Sequence, residues 1–190
     1  MANETPPSPA RNQFLRNLIE LTRSLDSTRL ITAALERHEK AGDPHTQVLD
    51  DSIGEQLDVL AFNEYIGWYG GTPEDAANAR WEISGNKPVV VSEFGADALQ
   101  GLRGGSDERW TEDYQERLYQ QSVKMLDNIP NLRGVSPWIL ADFRSPRRML
   151  PGIQDGWNRK GLISSTGVKK KAFSVMRDYY DRMAGRYPDF

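Results

Sequence analysis

The chain runs to 190 residues, with 24 Lys and Arg against 27 Asp and Glu, a formal net charge of -3 and no cysteine. That length suits one domain with a sizeable core, and the balanced charge, without a basic run interleaved with aromatics, gives a nucleic-acid partner no electrostatic footprint. No apolar stretch approaches the roughly 20 residues of a membrane span, and disulfides, thiolate metal sites and cysteine nucleophiles are all excluded.

The start, Met1 to Glu4, has no charged n-region followed by an apolar h-region, so no signal peptide is visible and the cytoplasm is the favoured compartment. Asn3 and Glu4 stand just ahead of prolines at 6, 7 and 9 and read as the tail of a strand cut by the chain start. Phe14, Leu15, Leu18, Ile19 and Leu25 then recur at helical spacing, and Asp26 to Arg29 is a polar break. Apolar runs at Leu30 to Ala34, Val59 to Asn63, Val89 to Ser92 and Val135 to Leu140 read as strands, the third of them buried on both faces. Between the second and third, "TPEDAANARWEIS" reads as a helix, with Thr72 as cap, Pro73 at the first position and acids in the first turn. Residues 96–110 read as an inserted loop rich in glycine and charge, 111–127 as a helix with Leu118, Met125 and Leu126 on its buried face. A last helix over 168–183 carries Ala172, Phe173, Met176, Tyr179 and Tyr180, and 184–190 is a tail.

Strands alternating with helices predict βαβ units and a parallel sheet. The strand starts at 30, 59 and 89 repeat at the roughly 30 residues that a (β/α)8 barrel of about 250 residues spends on each unit. The expected fold class is therefore α/β, a partial TIM barrel forming a single domain over residues 1–190.

Barrel enzymes carry their chemistry at the C-terminal ends of the strands. Those ends offer Asn63, Glu64, Tyr65, Trp68 and Tyr69, then Glu93 in "PVVVSEFGAD", then Trp138 and Asp142. Glu4 and Glu93 thus sit at ends of different strands with aromatics between them. Paired carboxylates suit hydrolysis of a glycosidic bond, one protonating the leaving oxygen while the other attacks or assists at the anomeric carbon. A Glu after a strand also serves as a salt-bridge partner or helix cap. His38 and His45 lack ligand-spaced partners and read as exposed loop residues, so no metal is expected, and nothing requires an organic cofactor.

In order along the chain, "ANET", "DVLAFNEYIGWYGG", "VVVSEFGAD", "GVSPWILADF" and "WNRKGL" resemble the C-terminal half of the catalytic barrel of glycoside hydrolase family 2, the family of β-galactosidases, β-glucuronidases and β-mannosidases. The resemblance implies the span from the end of strand four through strand eight and the final helix. It implies that Glu4 is the acid/base and Glu93 the nucleophile of a retaining, double-displacement exo-β-glycosidase. The two carboxyl groups would lie about 5 to 5.5 Å apart, with the resting proton on Glu4. Asn3 precedes the acid/base as in the family, Tyr65 matches the tyrosine beside the nucleophile, and Trp138 matches the aromatic closing the sugar site. Asn158 and Lys160 resemble the Asn-x-Lys pair that holds the C6 carboxylate in β-glucuronidases, chemistry that an amide and an ammonium suit. "DGWNRKGLIS" also reads as a polar turn before the last helix, and Ile139 departs from the Asn that follows this Trp in glucuronidases. A β-glucuronide substrate is thus expected ahead of a β-galactoside.

The resemblance further implies that the N-terminal half of the barrel is a missing partner. An open sheet edge and an apolar face would remain, and the isolated chain is expected to have little or no activity and to self-associate. Two other readings stand beside it: a non-catalytic half-barrel module that binds sugar or a partner chain, and an enzyme reassembled from two half barrels.

Overall fold

A computed structural model describes residues 3–187, which divide into two compact units. The first comprises the chain up to Glu64 with Asn78–Phe94 and Asn128–Ser136; the second comprises Tyr65–Ala77, Gly95–Asp127 and the chain from Pro137 onward.

The first unit opens with helix α1 (Pro9–Leu25), where Pro9 pre-sets the first turn and the Ser8 hydroxyl accepts from Arg11 N at 3.1 Å. Leu15 is buried, while Phe14, Leu21 and Leu25 are exposed. Next come β1 (Thr32–Leu35), a hairpin of β2 (His38–Lys40) and β3 (Asp43–Leu49), a 3-10 turn at Ser52–Gln56, and β4 (Val59–Glu64). After α2 (Pro73–Asn78) of the second unit, the first unit resumes with β5 (Arg80–Ile83) and β6 (Val89–Phe94). Its last strand, β7 (Leu132–Val135), follows the long helix α3 (Glu112–Asp127) of the second unit.

β1, β4, β6 and β7 form a parallel sheet in that order, as the half barrel requires. Val89 and Val91 are fully buried but Val90 is only half-buried, so this strand does not bury both faces equally. β7 lies earlier than the run over 135–140 suggested. Pro137 has no N–H for a ladder, and Ser136 makes the last sheet bond, to Val91 O at 2.9 Å.

The segment read as one helix over 72–84 splits into α2 and β5. From Arg80 onward burial alternates, and Trp81 turns inward to meet the Phe62 ring at 4.6 Å. β5 joins β3 and β2 in a separate three-stranded sheet. His38 and His45 therefore sit on strands, both exposed, and among the described residues no His, Asp and Glu cluster could hold a metal.

In the second unit α3 packs against α4 (Lys171–Arg186), which extends into the segment read as a tail. Tyr119, Leu118, Met125, Ala172 and Met176 are buried in this unit. Ion pairs Lys171–Asp113 at 2.8 Å and Arg182–Asp127 at 2.9 Å tie the helices start to start and end to end, hence parallel. A short ladder of β8 (Phe143–Arg144) with β9 (Trp157–Asn158) brings the strand-end segments of this unit together.

Candidate active site

In the first unit Glu4 docks on the free edge of β1, its backbone N–H donating to Ala34 O at 3.1 Å. It takes the left-handed backbone (φ +50°), uncommon outside glycine. Glu93 is half-buried near the end of β6, paired in register with Asn63 of β4 across a bulge. Asn63 is the hinge of the arrangement. Its amide donates to Asn3 Oδ1 at 3.2 Å, and its own oxygen accepts from the Ser92 hydroxyl at 2.8 Å, which also lies 3.0 Å from Phe62 O. The side chains immediately before Glu4 and before Glu93 therefore meet on one buried amide at the C-terminal end of the parallel sheet. Glu64, the other acid of that strand end, is 2% exposed and spoken for: Arg37 grips it at 3.0 and 3.2 Å and also reaches Gln47 Oε1 at 2.7 Å. One hydrogen bond and a close ion-pair contact of this kind hold the carboxylate on Arg37 as part of the structure.

In the second unit Tyr65, Asn158 and Lys160 are brought together. Lys160 is 1% exposed, and its ammonium donates to Asp97 Oδ2 at 2.7 Å and to the Tyr69 hydroxyl at 3.0 Å. The rings of Tyr69, Trp68 and Tyr65 stand 4.9, 5.5 and 5.8 Å from it, a range in which aromatic faces attract a cation. An ammonium has three N–H donors, so one remains for a ligand. Arg148 donates to the same Tyr69 hydroxyl at 3.3 Å. Burial would raise the Tyr69 phenol, but the hydrogen bonds from Lys160 and Arg148 outweigh it and hold the group below its ordinary value. Asn158 is buried with its oxygen committed to Lys160 N at 3.0 Å, which leaves its amide donors as the groups able to meet a sugar.

Residues 159–161 are fixed amide by amide. Arg159 N donates to Asp97 Oδ1 at 2.9 Å, Lys160 N to Asn158, and Gly161 N to Asp142 Oδ1 at 2.9 Å. Gly161 is required, because a Cβ there would run into Asp142 N and Ile163 O. Trp138, half-buried, meets Phe143 edge to face at 6.1 Å, and its neighbour Ile139 donates to Lys160 O at 3.1 Å. At Gly95 (φ +140°) a Cβ would collide with the Tyr119 hydroxyl, so only glycine suits this position.

Beneath this segment Lys170 is 1% exposed and uses all three donors, on Ala98 O at 2.7 Å, Asp142 Oδ1 at 2.7 Å and Arg159 O at 2.8 Å. Burial pushes the Asp142 carboxyl up and the Lys170 ammonium down, each opposed by the other's charge. Lys170→Met should therefore leave the buried Asp142 carboxylate with only the Gly161 N–H at 2.9 Å and the more distant Arg159 guanidinium at 3.6 Å, and lower the unfolding free energy by about 3 kcal/mol in chemical denaturation. Adding Asp142→Asn should restore part of that loss.

Sequence reading missed Asp97, Lys170 and the Asn63 bridge. The first two act on segments 63 and 28 positions distant, and spacing along the chain carries no trace of such partners.

A family model described as glycosyl hydrolases family 2, TIM barrel domain, matches residues 1–184. A beta-glucuronidase of Streptococcus agalactiae is 34% identical over 141 residues, which is 70% of this chain and 22% of that protein. One from Paenibacillus borealis is 27% identical over 186 residues, covering 93% of this chain and 29% of its own length. Among solved structures, a beta-D-glucuronidase of Dictyoglomus thermophilum superposes with a TM-score of 0.69 at 26% identity, over 94% of this chain and 31% of that one. A GH2 beta-galacturonidase from Eisenbergiella tayi bound to galacturonate gives a TM-score of 0.72 over 92% of this chain and 31% of its own, at 22% identity, which speaks to fold alone. The chain spans less than a third of the length of these relatives.

Proposed function

The chain belongs to glycosyl hydrolases family 2 as part of its TIM barrel domain, and from that premise we propose that it supplies the catalytic carboxylates of a retaining exo-β-glycosidase acting on β-D-glucuronides. Glu93 attacks the anomeric carbon while Glu4 protonates the departing oxygen, forming a glycosyl ester on Glu93. Glu4, now a base, takes a proton from water as the water's oxygen displaces Glu93 from that carbon, so two inversions give net retention. Asn3 binds the sugar beside the acid/base, and Trp138 offers its ring face. The observation that carries the hydrolase reading is the Asn3–Asn63–Ser92 chain of hydrogen bonds, which tethers the neighbours of both acids to one strand end.

A uronide is favoured over a neutral sugar by Lys160. Its ammonium is already dehydrated and held by two partners, so a carboxylate taking its third N–H meets a donor that has little ordering left to undergo. Asn158 contributes its amide N–H groups to the same carboxylate. Sugar and the remaining barrel strands are the partners this reading needs.

Paired assays of an aryl β-D-glucuronide and an aryl β-D-galactoside, on the full polypeptide that the gene encodes, test the proposal. The glucuronide should be strongly preferred, and Lys160→Met should reduce the preference about a hundredfold. A galactoside preference in the parent protein would convert the assignment to β-galactosidase. Binding of sugar without hydrolysis of either would favour a non-catalytic module.

A further inference from the structure

Asp97 lies four residues beyond Glu93, is fully buried, and has both carboxylate oxygens in use. Oδ1 accepts the Arg159 backbone N–H at 2.9 Å and Oδ2 accepts the Lys160 ammonium at 2.7 Å. The next residue continues the link, with Ala98 N donating to Arg159 O at 3.0 Å. One carboxylate therefore fixes both ends of the Lys160 environment, the backbone from which the side chain departs and the charged tip where it ends. With Tyr69 as second acceptor, the tetrahedral ammonium has two of three N–H directions set, and the third follows from geometry. A free lysine tip has rotamer entropy to lose on binding; here that ordering precedes any ligand. Asp97 also offsets the charge of Lys160 at longer range, so what the pair presents to an anion is chiefly a directed, charge-assisted N–H.

We propose that Asp97 is a positioning residue that confers selectivity for a carboxylated sugar by aiming the Lys160 ammonium, an inference that rests on the uronide reading above. A ligand carboxylate accepts the remaining N–H; Asp97 itself touches no substrate. A neutral sugar, unable to use a charge-assisted bond there, gains little from the arrangement.

The test compares 4-nitrophenyl β-D-glucuronide with its methyl ester, which differ in the charge at C6, on the full polypeptide. Asp97→Asn keeps size and an oxygen for the Arg159 N–H but releases the ammonium. The ratio of kcat/KM for acid over ester should fall about tenfold or more, carried by KM, with kcat within about threefold of the parent. In a Lys160→Met background the same substitution should leave the ratio unchanged, since Asp97 acts only through that lysine. Asp97→Glu, which keeps the charge and moves it by one methylene, should fall between parent and Asp97→Asn, and it serves as the test should Asp97→Asn not fold. An unchanged ratio, an equal loss on both substrates, or additivity with Lys160→Met would overturn the role of Asp97 alone. A parent protein that cleaves the ester as well as the acid would overturn the uronide reading itself, and this inference with it.

Discussion

Glu93→Gln is expected to lower kcat on an aryl β-D-glucuronide by about 10⁴-fold or more, with far-ultraviolet circular dichroism and melting like those of the parent protein. The amide conserves volume at a half-buried position of β6 but is too weak a nucleophile to form the glycosyl ester. Loss of activity alone would also follow from a misplaced strand, so the identity of the nucleophile needs a direct reading. A 2-deoxy-2-fluoro glucuronide with an activated leaving group slows hydrolysis of the covalent intermediate. Peptide mass spectrometry should then find the sugar on the peptide containing Glu93. A label on Glu64 would be unexpected, because both its carboxylate oxygens face Arg37, and would remove Glu93 from the mechanism.

Glu4→Gln should behave differently, because an acid/base matters in proportion to how much help the leaving group needs. For alkyl or phenyl glucuronides the loss is expected to reach about 10² to 10⁴-fold. For a dinitrophenyl glucuronide, whose leaving group departs without a proton, the first step should be nearly intact and the glycosyl ester should accumulate. Added azide, which needs no general base, should speed turnover and yield the β-glycosyl azide, detectable by proton NMR. An equal loss across all leaving groups would show that Glu4 supports the fold at the β1 edge, where its N–H meets Ala34, and is not the proton donor.

Much of the fold could be read from residue order. The runs at Leu30–Ala34, Val59–Asn63 and Val89–Ser92 are mostly apolar because parallel barrel strands are covered by outer layers, and they recur at the period of one βα unit. The β2–β3 hairpin escaped notice because β2 is exposed throughout, so its residues carry no hydrophobic pattern; Gly42, with φ +80° at the turn, was the available signal. The split of α2 from β5 hid behind Pro73 and the acids after it, which start a helix correctly but say nothing about where it ends. Trp81 decides that end by packing on Phe62, a tertiary contact that overrides local preference.

The residues assigned to chemistry were visible as a resemblance, and their types suit it. What holds them was not visible. Asp97 reads as one more polar residue in a loop until the chain folds and sets it against Arg159 and Lys160. Asn63 was plain as a strand-end amide, yet its junction with Asn3 and Ser92 needs two strand ends and the bend at residues 3–4 side by side.

The stretch from Arg159 to Gly161 has a bearing on how this domain can diversify. Each of its peptide nitrogens is claimed by a different side chain, Asp97, Asn158 and Asp142. Adding or deleting a single residue there would put every one of those pairings out of step at once, unlike at the tip of an ordinary surface connection. With Lys160 in the role proposed above, a change of substrate preference is expected from exchanging side chains on a loop of constant length, the side chains being the letters that change and the backbone the line on which they are written.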